Sequence, residues 1–289
     1  MSIHCVIVTY KPDIELLARL IESIRHQVEK IYIIDNSLDT VRFSDIENFD
    51  SIEITYLAKN IGIAAAQNIG IQKALADKSE FILLSDQDTV FPSDYVEDML
   101  PVFSIYSNAA AVVPRFVDSN KVSQDGFIFE HPFLFQRRFP TSEKHEIFQA
   151  IASGKILRAS ALGSIGLMDE DLFIDWVDLE WCWRARKLGY KIVGNADVEI
   201  DHNLGDGSIN LVFREINVRA PIRHYYITRN AVYLALHSDS LDLNHRVVLF
   251  FKSFRYLFGF PILAKPRFQN LKAVTVGFIH GVFKVQGSY

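Results

Sequence analysis

Short apolar runs alternate with segments of helical period through the first third of the chain, and this alternation constrains the fold more than any other feature. "HCVIVTY", "KIYIIDNS", "SIEITYL" and "FILLSDQD" each read as a strand. After the start signal of Pro12 and Asp13, Leu16, Leu17, Leu20, Ile21 and Ile24 recur at helical spacing. "NIGIAAAQNIGIQKALAD" reads as a loop entering an Ala-rich helix before the fourth strand. Such βαβ repetition predicts an α/β fold, a Rossmann-like and mostly parallel sheet with right-handed crossovers and helices on both faces.

In sheets of this kind ligands bind outside the carboxyl ends of the strands. Polar residues collect there: Thr9 and Tyr10 after the first strand, Asp35 and Asn36 after the second, Asn60 and Gly62 after the third, Asp86 and Asp88 after the fourth. Residues i and i+2 share one side of an extended chain, so Asp86 and Asp88 point into the same space. Two like charges there repel unless a cation sits between them. The pair is therefore either a solvated strand end before the turn at Pro92 or a metal and phosphate site.

A second constellation lies in "DLFIDWVDLEWCWRARKLGYKI", where helical pattern begins around Val177 and puts Asp178 near the helix N-terminus. A carboxylate there serves as a cap or as a functional base. Glu180 and Arg184 have the i, i+4 spacing of an ion pair. Asp178 and Glu180 lie about 200° apart around a helix, so one of them faces a given pocket, and Asp178 is the candidate. Trp181 and Trp183 read as core residues. "ADVEIDHNLGDG" places His202 at a strand end, either as a hydrogen-bonded residue or as a metal ligand.

The 289 residues, 49% of them apolar, suffice for one large α/β domain with an appendage. Two distant cysteines, Cys5 and Cys182, exclude a disulfide framework or zinc site and suit a reducing cytoplasm. "MSIHCVIVTY" lacks the features of a signal peptide, and no charge-free run is long enough to span a membrane. The net charge of −5 divides into −12 over the first 202 residues and +7 over the rest. A boundary near Gly205 accordingly separates a catalytic domain, 1–204, from a basic, aromatic, mainly helical region, 205–289. Arg246, Lys252, Arg255, Lys265 and Arg267 punctuate bulky apolar residues there, as in a helical subdomain packed on the main fold or a surface for anionic lipid. No nucleic-acid recognition motif accompanies them. "GFIFEHPFLFQRRFPTSEKHE" reads as a surface lid or an insertion hairpin.

In their order and spacing, "VIVTY", "IIDNS", "NIGIAAAQNIG", "LLSDQD", "FIDWVDLEWCWRARKLGY" and "DHNLGDG" resemble the inverting family 2 glycosyltransferases of GT-A fold, particularly the bacterial rhamnosyltransferase branch. The resemblance runs from about Ile3 to Gly207 and continues into "RHYYITRN". It implies that Thr9, Tyr10, Asp35 and Asn60 meet the base and ribose of a nucleotide-sugar donor, dTDP-L-rhamnose, with Gly62 and Asn68 completing the donor site. It implies that Asp86 sits near the ribose and cation, that Asp88 and His202 hold Mg²⁺ or Mn²⁺ on the diphosphate, and that Asp178 is the base. Val177 stands where the commoner pattern has Glu. A glycan or lipid-linked acceptor in surface-glycan synthesis, met by a peripheral enzyme, is implied as well. Two other classes compete: a haloacid-dehalogenase-type phosphohydrolase, whose motif "FILLSDQDT" resembles but whose first strand carries it, and a noncatalytic nucleotide- or lipid-binding module.

Overall fold

The computed structural model describes residues 1–39, 43, 46, 49–117, 126–131, 135–201, 208–211, 214–217 and 220–289, of which 201, 208–211 and 214–217 are described in the main chain alone. The chain opens with β1 (Ile3–Thr9), α1 (Ile14–Ile24), β2 (Lys30–Asp35), β3 (Ile52–Tyr56), α2 (Ile63–Ala76) and β4 (Phe81–Ser85). Local chemistry sets these bounds. Asp13 Oδ1 accepts from the amides of Glu15 and Leu16 at 2.9 and 3.2 Å, capping α1, which then buries Leu17, Leu20, Ile21 and Ile24 along one face.

Next come α3 (Tyr95–Met99), α4 (Val102–Ile105), β5 (Ala109–Val117), the hairpin β6 (Phe127–Phe129) and β7 (Gln136–Arg138), and β8 (Lys144–Ile147). They are followed by β9 (Lys155–Arg158), α5 (Ala159–Ile165), a 3₁₀ turn (Glu170–Leu172), α6 (Val177–Lys187) and β10 (Lys191–Asp201). A second hairpin, β11 (Ser208–Leu211) and β12 (Arg214–Asn217), leads to α7 (Pro221–His237), α8 (Leu243–Leu263) and α9 (Arg267–Val282).

Eight strands form one sheet in the order β3-β2-β1-β4-β9-β5-β10-β8. Neighbours β3, β2, β1 and β4 are parallel, as are β5 and β10. β9 runs antiparallel between β4 and β5, and β8 antiparallel along β10. Thr9 pairs with Asp35 and Ile7 with Ser85, so β1, β2 and β4 end at one level and deliver their polar ends to one place. Alternate strand residues supply two cores. Cys5, Ile7, Ile33 and Leu83 meet α1, α3 and α4 on one face; Val6, Ile34 and Leu84 meet α2, α5 and α6 on the other. Ala231, Leu234 and Ala235 of α7 belong to that second core, so the C-terminal helices continue it. α8 packs on α7 through His224 stacked on Phe260, centroids 3.9 Å apart. α9 packs on it through Gly277 and Gly281, where any Cβ would come 2.6 Å from the carbonyls of Tyr225 and Arg229.

Candidate active site

At the ends of β1 and β2, Asp35 is buried, 1% exposed, and its Oδ1 accepts from Thr9 Oγ1 at 2.9 Å and Ser37 Oγ at 2.7 Å. Its Oδ2 is buried without a partner among the described residues. A buried carboxylate oxygen left this way is costly unless a ligand donor completes it. Tyr10 stands exposed beside it, its main-chain amide donating to Gln87 Oε1 at 2.8 Å, while the Lys11 amide donates to Ser37 Oγ at 2.8 Å. Gln87, between the two aspartates, thus ties the end of β1 to the end of β4.

Three residues expected at the donor are held within the protein itself. Asn60 Oδ1 accepts from Asn36 Nδ2 and from the Gly62 amide, both at 3.0 Å, bracing the loop that enters α2. Gly62 adopts φ 88°, and a Cβ there would lie 2.6 Å from the Phe173 carbonyl oxygen. That carbonyl accepts from the Ile63 amide at 2.8 Å, so glycine is needed for the segment around Phe173 to cap α2. Asn68 is buried and spends its amide on Met168 and Glu170: Nδ2 donates to the Met168 carbonyl at 2.9 Å and to Glu170 Oε1 at 2.8 Å, and Oδ1 accepts from the Met168 amide at 2.9 Å. Its contact is with the protein, and its work is to hold the approach to α6.

Asp86 is half-buried and Asp88 exposed at the end of β4. Burial, then the negative charges of Asp178 and Asp88, push the Asp86 carboxyl up to about 7, with Arg223 opposing. Asp86, Asp88 and Asp178 therefore share one electrostatic environment, although they come from distant parts of the chain. Asp178 lies in the first turn of α6, behind Trp176 in the left-handed region. Burial raises its carboxyl, whereas Lys155 and a hydrogen bond from the Ala152 amide lower it, and Asp175 raises it. Its Oδ1 is buried without a partner among the described residues. His202, the expected third cation ligand, lies outside the described residues.

Two oxygen ligands one residue apart, with a third carboxylate acting on them, fit a hard divalent cation. Among the described residues one group of three potential ligands lies elsewhere, at Glu130, Asp242 and His245, where Arg186 already pairs with Glu130 at 2.5 Å.

Glu180 takes the structural part expected of it: Arg184 donates to both its oxygens at 2.9 Å. Trp181 and Trp183 are buried core residues. Two features escaped the sequence. Lys155, fully buried in β9, donates from Nζ to the Ala150 carbonyl at 3.0 Å and to the Asp178 carbonyl at 3.5 Å, which puts a cation beside Asp178. Its only sequence signal is a lysine opening the apolar "KIL". The second is one face of α7. Arg223 pairs with Asp175 at 3.2 Å, the Ile227 carbonyl accepts from the Trp176 indole at 3.0 Å, and Asn230 Nδ2 donates to the carbonyls of Leu172, Ile174 and Asp175 at 2.9, 2.9 and 3.0 Å. Arg229 adds bonds to the carbonyls of Asp171 and Leu172, both at 2.9 Å. The Arg229-Asn230 pair of the sequence is the clamp on the segment that presents Asp178.

Comparison with known proteins agrees with this geometry. Residues 5–166 match the model of glycosyl transferase family 2. The chain is 30% identical over 245 residues to the Shigella flexneri dTDP-rhamnosyl transferase RfbF, covering 84% of this chain and 82% of that protein. Among solved structures, S. aureus TarS 1–349 in complex with UDP-GlcNAc matches with a TM-score of 0.63 at 16% identity, covering 98% of this chain and 82% of that one. GalNAc-T7 with UDP, GalNAc and Mn²⁺ matches with a TM-score of 0.58 at 14% identity, covering 91% of this chain and 57% of that one. These structural likenesses carry the fold. The phosphohydrolase reading is not supported, since "LLSDQD" ends the fourth strand rather than the first. A strand-end aspartate pair facing a helix-opening aspartate, on a fold shared with GT-A enzymes, thus meets a family match over more than half the chain, and the protein belongs to glycosyl transferase family 2 as a nucleotide-sugar glycosyltransferase.

Proposed function

We propose that the enzyme transfers L-rhamnose from dTDP-L-rhamnose, with inversion, to a hydroxyl of a lipid-linked or polysaccharide acceptor, working in the cytoplasm at a membrane surface. The rhamnosyl donor rests on the relative named above. The partnerless Oδ2 of Asp35 supports recognition of the nucleobase, because thymine offers an N–H donor to a buried acceptor and the Tyr10 ring stands exposed beside it.

The observation that carries the reading is Asp178: a half-buried carboxylate whose Oδ1 is buried without a partner among the described residues, electrostatically coupled to the Asp86 and Asp88 end of β4. Its position in the first turn of α6 would by itself hold the carboxylate at low basicity through the helix dipole. Burial counteracts this and raises its proton affinity. Asp178 takes the proton of the acceptor hydroxyl as that oxygen attacks the anomeric carbon, and a single displacement with one base inverts the configuration. Asp86 and Asp88, with His202, would hold Mg²⁺ or Mn²⁺, which when bound supplies positive charge for the leaving diphosphate. Arg223, whose charge acts on Asp86, adds a further cation at that side.

Asp178→Asn tests the assignment. The variant retains shape and capping capacity, so the thermal shift produced by dTDP should persist while rhamnosyl transfer falls by about 10² to 10⁴. Parallel loss of nucleotide binding and transfer, or a product retaining the donor's anomeric configuration, would overturn the mechanism. A panel of nucleotide sugars, each with and without Mn²⁺, tests the donor.

A further inference from the structure

No acidic residue occurs from Leu243 to Tyr289, a stretch carrying seven Lys and Arg. Its first helix, α8, is apolar on two opposite faces. His245, Leu249 and Ser253 are buried. Leu243, Val247, Phe251, Phe258 and Ile262 are exposed, and with Arg255 they fall within about 120° of the helix circumference, opposite the buried set. Phe251, Phe258 and Ile262 are 65, 62 and 64% exposed, too much for partly covered core residues. α9 repeats the arrangement: Asn270, Val274, Gly277 and Gly281 are buried, while Phe268, Leu271 and Ile279 are exposed on the other side. Both helices bury one face against the rest of the fold, α7 included, and turn a second apolar face away from it.

A helix apolar all round requires a second apolar phase. The charges say which one. Arg255, Lys265, Arg267 and Lys272 are exposed around the stripe. A second copy docked face to face would set these cations against their equivalents with no carboxylate from either segment, whereas anionic headgroups would neutralise them. No helix of the described residues is long and apolar enough to cross a membrane, so the contact lies in the plane of the interface.

We infer that the outer face of α8, continued by the start of α9, is a docking surface for an anionic lipid bilayer, with Phe251, Phe258 and Ile262 entering the acyl boundary and Arg255, Lys265 and Arg267 at the headgroups. Two of the cations expected at lipid do not face it. Arg246 donates to the carbonyls of Ala235 and Leu236, and Lys252 lies over the Trp176 ring, 5.0 Å from its centroid. The inference deepens the proposed function, for a lipid-linked acceptor would be met on this surface, but the docking itself needs no substrate.

The test is co-sedimentation with phosphatidylcholine vesicles with and without phosphatidylglycerol, across a salt series, for the wild type, Phe258→Glu/Ile262→Glu and Arg255→Glu/Arg267→Glu. Unchanged melting and an unchanged dTDP thermal shift establish that the variants are folded. The wild type should sediment with anionic vesicles, release as salt rises, and partition at least about tenfold more weakly into neutral ones; each variant should lose about tenfold or more. Wild-type protein that ignores anionic vesicles at low salt, or variants that bind as well as it does, would overturn the inference. So would a wild-type dimer that Phe258→Glu/Ile262→Glu converts to monomer without any vesicle binding, which would make the face a self-interface. Loss of transfer with vesicle binding intact strikes the proposed function instead.

Discussion

Asn230→Ala removes the centre of the clamp that α7 places on the segment before Asp178. Asn230 Nδ2 donates to three main-chain carbonyls, those of Leu172, Ile174 and Asp175. Leu172 keeps a bond from Arg229 in the variant, so the bonds lost outright are those to Ile174 and Asp175. A buried acceptor left alone costs about 1–3 kcal/mol, and since both lie at part-buried bonds that water reaches, the total should be near 2–3 kcal/mol. The segment also holds Phe173, Asp175 and Trp176 at φ of 63, 61 and 69°, conformations that persist only where surrounding contacts impose them. Without Asn230 this strain has an outlet, and the start of α6 moves. At roughly 2–3 °C per kcal/mol for a chain of this size, the melting temperature should fall by about 4–9 °C. A displacement of the base of the order of 1 Å should lower kcat about 10²-fold, with the donor KM little changed because Asp35 and Thr9 lie on other strands. Calorimetry and initial-rate kinetics, run below the variant's melting range, read both quantities. A variant that loses the expected stability yet turns over at the wild-type rate would refute the idea that this clamp positions Asp178.

Asp88→Ala should abolish cation-dependent transfer and leave melting unchanged, because Asp88 is exposed and supports no core; full activity in the presence of chelator would remove the cation from the reaction. The Asp86 carboxyl, pushed up to about 7, lies above an unfolded value of about 3.9. A raised carboxyl favours the folded state below the unfolded pKa and loses that contribution as pH rises through the folded one. Cation-free melting should therefore decline between about pH 4 and 7, levelling off above, by a component that Asp86→Asn lacks, and calorimetry across that range checks it. Cation binding needs the carboxylate, so apparent Mn²⁺ affinity should climb by up to tenfold per unit below about pH 7, and a titration flat from pH 6 to 8 would contradict this. Lys155→Met takes away the charge that favours ionised Asp178, so the pH at which transfer reaches half its maximum should move upward, with the donor KM unaffected; a superimposable profile would deny Lys155 that role.

The strands β1 to β4 were legible because parallel strands covered on both faces are continuous apolar runs, and the helices between them carry a capping aspartate or a dense alanine pattern. β9 was not. It has four residues, begins with a lysine, and runs antiparallel into the gap between β4 and β5, so neither length nor period marks it. Among site residues, those on strands fared differently from those on the loop and helix that follow β3. Alternation along a strand fixes which side a residue occupies, and that serves Asp35 at the end of β2; Asp86 and Asp88 lie past the end of β4, where the chain turns, so the extended-chain reading of their i, i+2 spacing does not hold there. For Asn60, Gly62 and Asn68 the motif order says only that polar or small residues are needed nearby. Whether Asn68 turns toward a donor or toward Met168 depends on how α2 meets a segment 100 residues downstream, and no local pattern encodes that.

The same separation in sequence hides the charge arrangement of the site. Three carboxylates, Asp86, Asp88 and Asp178, would repel one another in a space partly closed to water, and the chain answers with cations from both directions. Lys155 comes from β9 beneath α6, and Arg223 from the first turn of α7, where Asp175 anchors it. Neither cation closes an ion pair with Asp178: Lys155 reaches its main-chain carbonyl, and the buried Oδ1 has no partner among the described residues. A direct pair would have held the carboxylate ionised and weakly basic; a cation one step removed offsets part of the burial and leaves the oxygen able to accept a proton. That balance explains why a buried lysine opens a strand ahead of Ile156 and Leu157, and why the helix that carries Arg223 also carries the residues clamping the segment on which Asp178 stands.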